Sequence, residues 1–189
     1  MLKIARSLRV GSLALALALT LSLCGAACAL CESEVPDAPE GAAFGSFRAY
    51  SLYGEPVTHE IFSSASLTMV NVWGTYCGPC IMEMPDLGEL GREYADRGLR
   101  IVGIVADVYD DLPDSLEAAI EIVEGTGADY LHILPSAEMI DARLRYVRFI
   151  PETFFLDSSG RQIGESYVGS RDRDAWIAIL EPLLAEFGG

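Results

Sequence analysis

Positive charge is scarce in this sequence. Lys3 is the one lysine among 189 residues, and past the first thirty residues every cationic side chain is an arginine, set against 28 Asp and Glu. A formal net charge of −15 argues against a nucleic-acid partner and against docking on anionic lipid, since both need clustered cations. Histidine is nearly missing too. His59 and His132 stand far apart and form no ligand pair. Cysteine is confined to Cys24, Cys28 and Cys31 near the start and to Cys77 and Cys80, so a zinc site lacks the second pair of ligands it usually needs. No metal and no cofactor are expected, and no internal repeat is present.

The first thirty residues read as an address rather than as fold. Lys3, Arg6 and Arg9 precede an uncharged stretch rich in Leu and Ala from Val10 to Leu30. This is the pattern of a secretory leader, or of an uncleaved anchor, since about 20 apolar residues can span a bilayer. Cations on the starting side keep the N-terminus cytoplasmic, which puts the following domain outside the cytoplasm. Leu21-Ser-Leu-Cys24 and Gly25-Ala-Ala-Cys28 both resemble a lipoprotein signal, each with one poor position. Lipid attachment at Cys28 or Cys24, an uncleaved anchor and a freely secreted protein all stay open. Residues 1–31 are thus assigned as leader or anchor. Residues 32–43 (ESEVPDAPEGAA), acidic and rich in Pro, Ala and Gly, are assigned as a flexible linker, and 44–189 as one domain.

Within the domain, Phe47 to Tyr53 and Pro56 to Glu60 predict two short strands around Tyr53-Gly54-Glu55. Leu67 to Trp73 is a continuous apolar run, the mark of a strand buried on both faces. A helix is predicted from Pro79 to Ala95, kinked by Pro85. A second buried strand follows from Leu99 to Ala106, then a helix from Ser115 to Glu124. A short strand at Leu131 to Leu134 and a short helix from Ala137 to Tyr146 come next. Thr153 to Asp157 and Gln162 to Val168 form a hairpin, and Asp172 to Phe187 a closing helix. Alternating strands and helices ending in a hairpin and a helix imply an α/β three-layer sandwich with a mixed central sheet.

The chemistry sits in Cys77-Gly-Pro-Cys80, where a buried strand gives way to a helix. At the N-terminus of that helix, unpaired N–H groups and the dipole favour a thiolate at Cys77, the reactive form of the sulfur. Pro79 suits a first turn because it has no N–H to leave unpaired. Cys77 is therefore the expected nucleophile toward a partner's disulfide. Cys80, one turn on and more buried, would resolve the mixed disulfide. Glu83, three residues further on the same helix face, is placed to accept the Cys80 proton; as a surface residue it would merely suit the helix start. Trp73 and Tyr76 flank the thiols as a possible aromatic platform for the partner, with core packing the competing reading. Pro151 opens a strand, and X-Pro is where cis bonds occur, so the Ile150–Pro151 edge is a candidate surface for a client chain.

These residues resemble the thioredoxin superfamily, and more narrowly the membrane-associated TlpA/ResA-like thiol-disulfide reductases. Met69-Val-Asn-Val-Trp-Gly-Thr-Tyr-Cys-Gly-Pro-Cys-Ile-Met-Glu-Met-Pro85 carries most of the likeness, with Ile150-Pro-Glu-Thr-Phe-Phe-Leu-Asp157. The resemblance implies a catalytic pair at Cys77 and Cys80, an active-site glutamate at Glu83 and a cis-proline at Pro151. It also implies a thioredoxin-like fold with an N-terminal β-hairpin and an extra strand and helix at about 127–147. Asn71 stands where cytoplasmic thioredoxins carry a buried Asp. Tyr76 departs from the family's usual Trp, and Gly-Pro is the dipeptide of thioredoxin itself. The function implied is a monomeric, membrane-tethered reductase of disulfides in exported clients, serving cytochrome c maturation or an exported reductase such as methionine sulfoxide reductase. Its electrons would come from a membrane thiol transporter of the CcdA/DsbD kind.

Three other readings fit less well. A peroxiredoxin needs Pro and Thr or Ser where this chain has Val70 and Gly74. A copper chaperone on the same fold needs Cys-x-x-x-Cys and a downstream His. A binding module with a structural disulfide differs in redox behaviour, because its bond resists exchange.

Overall fold

The computed structural model describes residues 38–39, 41–108 and 113–188. The leader assignment, with Cys24, Cys28 and Cys31, and most of the linker lie outside the described residues. Among the described residues no helix is long and apolar enough to cross a membrane.

The chain runs β1 (Arg48–Ser51), β2 (Pro56–Thr58), β3 (Leu67–Trp73), α1 (Gly78–Glu93), β4 (Leu99–Val105), α2 (Pro113–Thr126), β5 (Leu131–Leu134), α3 (Ala137–Ala142), β6 (Glu152–Asp157), β7 (Gln162–Val168) and α4 (Arg173–Phe187). The strands form one mixed sheet in the order β2-β1-β5-β4-β3-β6-β7. β3 pairs in parallel with β4, and β4 with β5. The remaining neighbours are antiparallel. Strand β5 and helix α3 are the extra strand and helix foreseen in the sequence, and β5 joins the β1–β2 hairpin to the sheet.

All seven residues of β3 are buried, which is why its sequence shows no alternation. Leu67 and Met69 pack under Leu87 and Leu90 of α1 and Trp176 and Leu180 of α4. Val70 and Val72 face the other way, among Phe62, Val102, Ile104, Met139 and Phe154. Three layers follow directly from these two faces.

Two local expectations change. The second strand stops at Thr58, whose hydroxyl accepts the N–H of Glu60 and caps a 3-10 turn over His59–Ser64. The helix expected over 137–146 breaks at Arg143. There the guanidinium turns inward to Glu152 (2.6 Å), Ser166 (2.8 Å) and Gln162 (2.8 Å). It lies 4.1 Å above the Phe154 ring. A short 3-10 turn, Leu144–Tyr146, takes up the rest. Helix α1 is continuous through Pro85.

Gly103 lies in register between Asn71 of β3 and His132 of β5. A Cβ on Gly103 would sit 2.2 Å from His132 Nδ1, so glycine here makes the space that a buried imidazole fills. Gly103→Ala is therefore expected to lower unfolding free energy by about 2–3 kcal/mol through overpacking. The readout is a lower urea midpoint at unchanged slope; an unmoved midpoint would mean that the imidazole shifts aside without cost.

Candidate active site

The site begins where β3 and β4 end together. The N–H of Ala106 donates to the Trp73 carbonyl (2.8 Å), and the next residues leave the sheet. Gly74 brings the chain close to two neighbours: an added Cβ would lie 3.1 Å from Ile150 Cδ1 and 3.3 Å from an Asp107 oxygen. The turn closes with the N–H of Cys77 donating to the Gly74 carbonyl (3.0 Å). Asp107 braces it from β4's side, its carboxylate accepting the Thr75 N–H (2.9 and 3.0 Å) and the Thr75 hydroxyl (2.5 Å). Sequence reasoning missed Asp107, because nothing local marks a carboxylate 32 positions along the chain as the clamp of this turn.

Cys77 is the N-cap of α1, and its Sγ accepts the N–H of Cys80 at 3.3 Å. Pro79 lies in the first turn. The two sulfurs are joined as a disulfide, with the Cα atoms 5.3 Å apart. Cys77 keeps 6% of its surface exposed and Cys80 none, so an incoming group meets Cys77 first.

Glu83 is buried on the inner face of α1, 3% exposed. One oxygen accepts Asn71 Nδ2 (2.9 Å) and the other the backbone N–H of Arg171 (3.1 Å). Asn71 Nδ2 also donates to Thr153 Oγ1 (3.0 Å), which links the carboxylate to β6. Burial pushes the Glu83 proton affinity above the ordinary carboxylate range. The Arg171 N–H, the Asn71 amide, the Trp176 indole and the Arg171 charge pull the other way. Trp176 Nε1 itself is buried and makes no hydrogen bond.

Pro151 follows a cis peptide bond, and its carbonyl accepts the N–H of Gly169 (2.8 Å). Ile150 packs against the cluster that contains Trp73, Cys77 and Cys80. Beside it lies an apolar groove of about 300 Å³, lined by Val72, Tyr76, Ile104, Ile140, Phe149 and others. Tyr76 and Phe149 stand 75% and 69% exposed on its rim. Phe149 was not singled out from the sequence, where a Phe before Ile-Pro looks like core.

Trp73 requires a correction. It is wholly buried and forms no platform for a partner. Its side chain alternates onto the α1 face of β3, where its indole N–H donates to His132 Nδ1 (3.1 Å). His132 Nε2 lies 3.0 Å from the Ala128 carbonyl, and the Tyr130 ring covers the imidazole at 4.3 Å. Accepting from Trp73 and donating to Ala128 requires the neutral Nε2–H tautomer. Burial pushes the His132 pKa down to about 4.

A family model, the AhpC/TSA family, matches residues 41–161. The thiol:disulfide interchange protein DsbE of Pseudomonas aeruginosa is 31% identical over 156 residues, 82% of this chain and 80% of that protein. The DsbE of Haemophilus influenzae is 29% identical, over 67% of this chain and 64% of its own length. The thiol-disulfide oxidoreductase ResA of Bacillus anthracis is 28% identical, over 60% of this chain and 61% of its own length. Among solved structures, a thiol:disulfide interchange protein of the thioredoxin family from Chlorobium tepidum TLS aligns with a TM-score of 0.63 at 26% identity. The alignment covers 79% of this chain and 99% of that one.

The buried imidazole makes stability depend on pH. A histidine whose proton affinity falls on folding contributes fully above its unfolded pKa of 6.5, and the contribution drains away as pH falls toward about 4. The unfolded chain takes up the proton first. By pH 4 the loss amounts to about 3 kcal/mol. His132→Asn should remove this part of the slope in urea melts between these pH values, while carboxylates common to both proteins cancel in the difference. Parallel stability curves for the two proteins would refute the assignment.

Proposed function

We propose a reaction for a chain that belongs to the AhpC/TSA family, as a thiol-disulfide oxidoreductase of the DsbE/ResA type: reduction of disulfides in exported protein clients, carried out while tethered outside the cytoplasm. The observation that carries the proposal is the asymmetric sulfur pair at the start of α1. Cys77 caps the helix and keeps a small exposed surface; Cys80 is fully buried, three residues before the buried Glu83 on the same helix.

In the reduced protein the helix N-terminus favours the Cys77 thiolate. This sulfur attacks one sulfur of the client disulfide. A Cys77–client bond forms, the client's S–S bond breaks, and the displaced client thiolate takes a proton from solvent. Cys80 then gives its proton to the Glu83 carboxylate, and its thiolate attacks Cys77 Sγ. The Cys77–Cys80 bond forms as the Cys77–client bond breaks, and the second client sulfur leaves as a thiolate that is protonated. Two electrons have passed from the dithiol to the client. A membrane dithiol donor of the CcdA/DsbD kind restores the reduced pair by the same exchange in reverse.

The apolar groove beside Ile150 and the exposed Tyr76 and Phe149 support a client held as an extended segment across the Pro151 edge. Tethering by a lipid on Cys28 or Cys24, or by an uncleaved helix, rests on the N-terminal sequence. The clients proposed are apocytochrome c, whose haem-attaching cysteines must be reduced, or an exported reductase that needs electrons. DsbE relatives at 27–31% identity make thiol-disulfide interchange the shared chemistry.

Two measurements test this. In the reduced protein Cys77 should be alkylated with a midpoint at least about one pH unit below the free-thiol value of roughly 8.5, and Cys80 well above it. Cys80→Ser should accumulate mixed disulfides with client proteins, all through Cys77. Equal titration of both thiols, or a Cys77–Cys80 bond as resistant to glutathione as a structural disulfide, would sink the proposal.

A further inference from the structure

The loop from β7 to α4 reaches two functional features at once. The N–H of Gly169 donates to the Pro151 carbonyl (2.8 Å), and the N–H of Arg171 donates to Glu83 (3.1 Å). Gly169 has φ +86°, a left-handed conformation that lets the chain turn back between these two contacts. Asp172 then caps α4 by accepting the Ala175 N–H (2.9 Å), which fixes the loop's far end. The Arg171 side chain folds over the same loop. Its Nη1 donates to the carbonyls of Gly169 (2.8 Å) and Val168 (3.4 Å), and its guanidinium lies 5.0 Å from the Tyr167 ring and 5.3 Å from the Trp176 ring. These partners are neutral carbonyls and aromatic faces, so the positive charge is held in place without being neutralised by them.

Each element packed around Glu83 presents a different group. β3 supplies the Asn71 amide, and β6 the Thr153 hydroxyl that shares Asn71. α4 supplies the Trp176 indole, and Tyr130 feels the Glu83 charge through space. On α1 itself Cys80 sits one turn away. Among the described groups acting on Glu83, the positive charge comes from Arg171.

We propose that Arg171 is a positioning residue for the resolving step: its amide fixes one oxygen of Glu83, and its guanidinium, held on the same loop, draws that carboxylate back toward the form that receives the Cys80 proton. This rests on the reading of Glu83 as proton acceptor. Burial alone favours the neutral carboxyl, which can take no proton. A cation held on the adjoining loop acts against this, since its charge favours the ionised carboxylate. The backbone N–H survives any replacement other than proline, so side-chain substitution separates the charge from the hydrogen bond.

The test uses the full-length reduced protein with Cys24, Cys28 and Cys31 replaced by serine, so that Cys77 and Cys80 are its only thiols, and Ellman's reagent as the disulfide probe. The first equivalent of thionitrobenzoate reports attack by Cys77, and the second reports resolution by Cys80. The second-phase rate is measured from pH 5 to 8. In the wild type it should rise along a limb that Glu83→Gln abolishes. Arg171→Met should move that limb up by about half to one pH unit and leave the first phase unchanged. Arg171→Gln, closer in shape, should do the same, and Arg171→Lys should restore the wild-type position. In a Glu83→Gln background, Arg171→Met should add nothing. An unmoved limb in both neutral variants overturns the role of Arg171 and leaves Glu83 standing. A limb that persists in Glu83→Gln overturns the reading of Glu83 itself. A shift that survives without Glu83 shows that Arg171 acts on another group and also overturns the inference.

Discussion

One carboxylate in the gap between the central strand and the first helix governs this site. Glu83 has left water, and an unsupported carboxylate in that position costs several kcal/mol. What replaces water is a set of donors from distant parts of the chain, Asn71 from β3 and the Arg171 N–H from the loop after β7. Hydrogen bonds to a charged acceptor contribute about 1.5–3 kcal/mol each. They form only when β3, β6 and the β7–α4 loop are in final register, because Thr153 orients Asn71 and Gly169 anchors the loop on Pro151. The proton affinity of the site is therefore a property of the completed fold and not of α1 alone.

The two sulfurs meet different environments although three residues separate them. Cys77 caps the amides of a helix start, and Cys80 is sealed in a cluster with Trp73, Met84 and Val105. The first surroundings favour an anion and the second resist one. Trp73 is part of that seal. Its indole is fixed by a neutral His132, which in turn fits because Gly103 has no side chain. Strand β5, the addition to the sheet, thus reaches the redox centre through a line of three side-chain and backbone contacts. A second addition reaches the client side. Arg143, at the end of α3, holds Glu152 immediately after Pro151 and also holds Ser166 and Gln162 on β7. A buried pair of this kind is weak evidence for stability. Its contribution here is geometric: it fixes the strand that carries the Pro151 edge.

What the sequence disclosed, and what it concealed, follows the range of the interactions. Leu67–Trp73 was legible as a strand because burial on both faces leaves its sequence without alternation. The start of α1 was legible because Gly-Pro within a Cys pair is a local signal. Trp73 was misread because position beside a thiol does not tell which side of the strand faces out; the alternation around Asn71 does. Asp107, His132 and Arg171 were invisible as site residues. Their partners lie 32, 59 and 88 positions away, and a lone Asp, His or Arg in a loop or strand carries no periodicity. The break at Arg143 was hidden for the same reason, since its cause is Glu152 on another element.

The same contacts bear on the direction of electron flow. Whatever stabilises a thiolate stabilises the reduced pair and makes the disulfide a stronger oxidant. The amide cap on Cys77 pushes in that direction. A carboxylate one turn beyond Cys80 pushes back when it is ionised, because a thiolate beside it raises the energy of the reduced state. A reductant needs this opposition: Cys77 anionic enough to attack, yet the dithiol not so comfortable that it keeps its electrons. On the proposed reading, Glu83 supplies the opposing charge when it is ionised, and Arg171 favours that ionised form. Proton affinity and reduction potential are then set by one group of atoms, and a change to the loop after β7 alters both together.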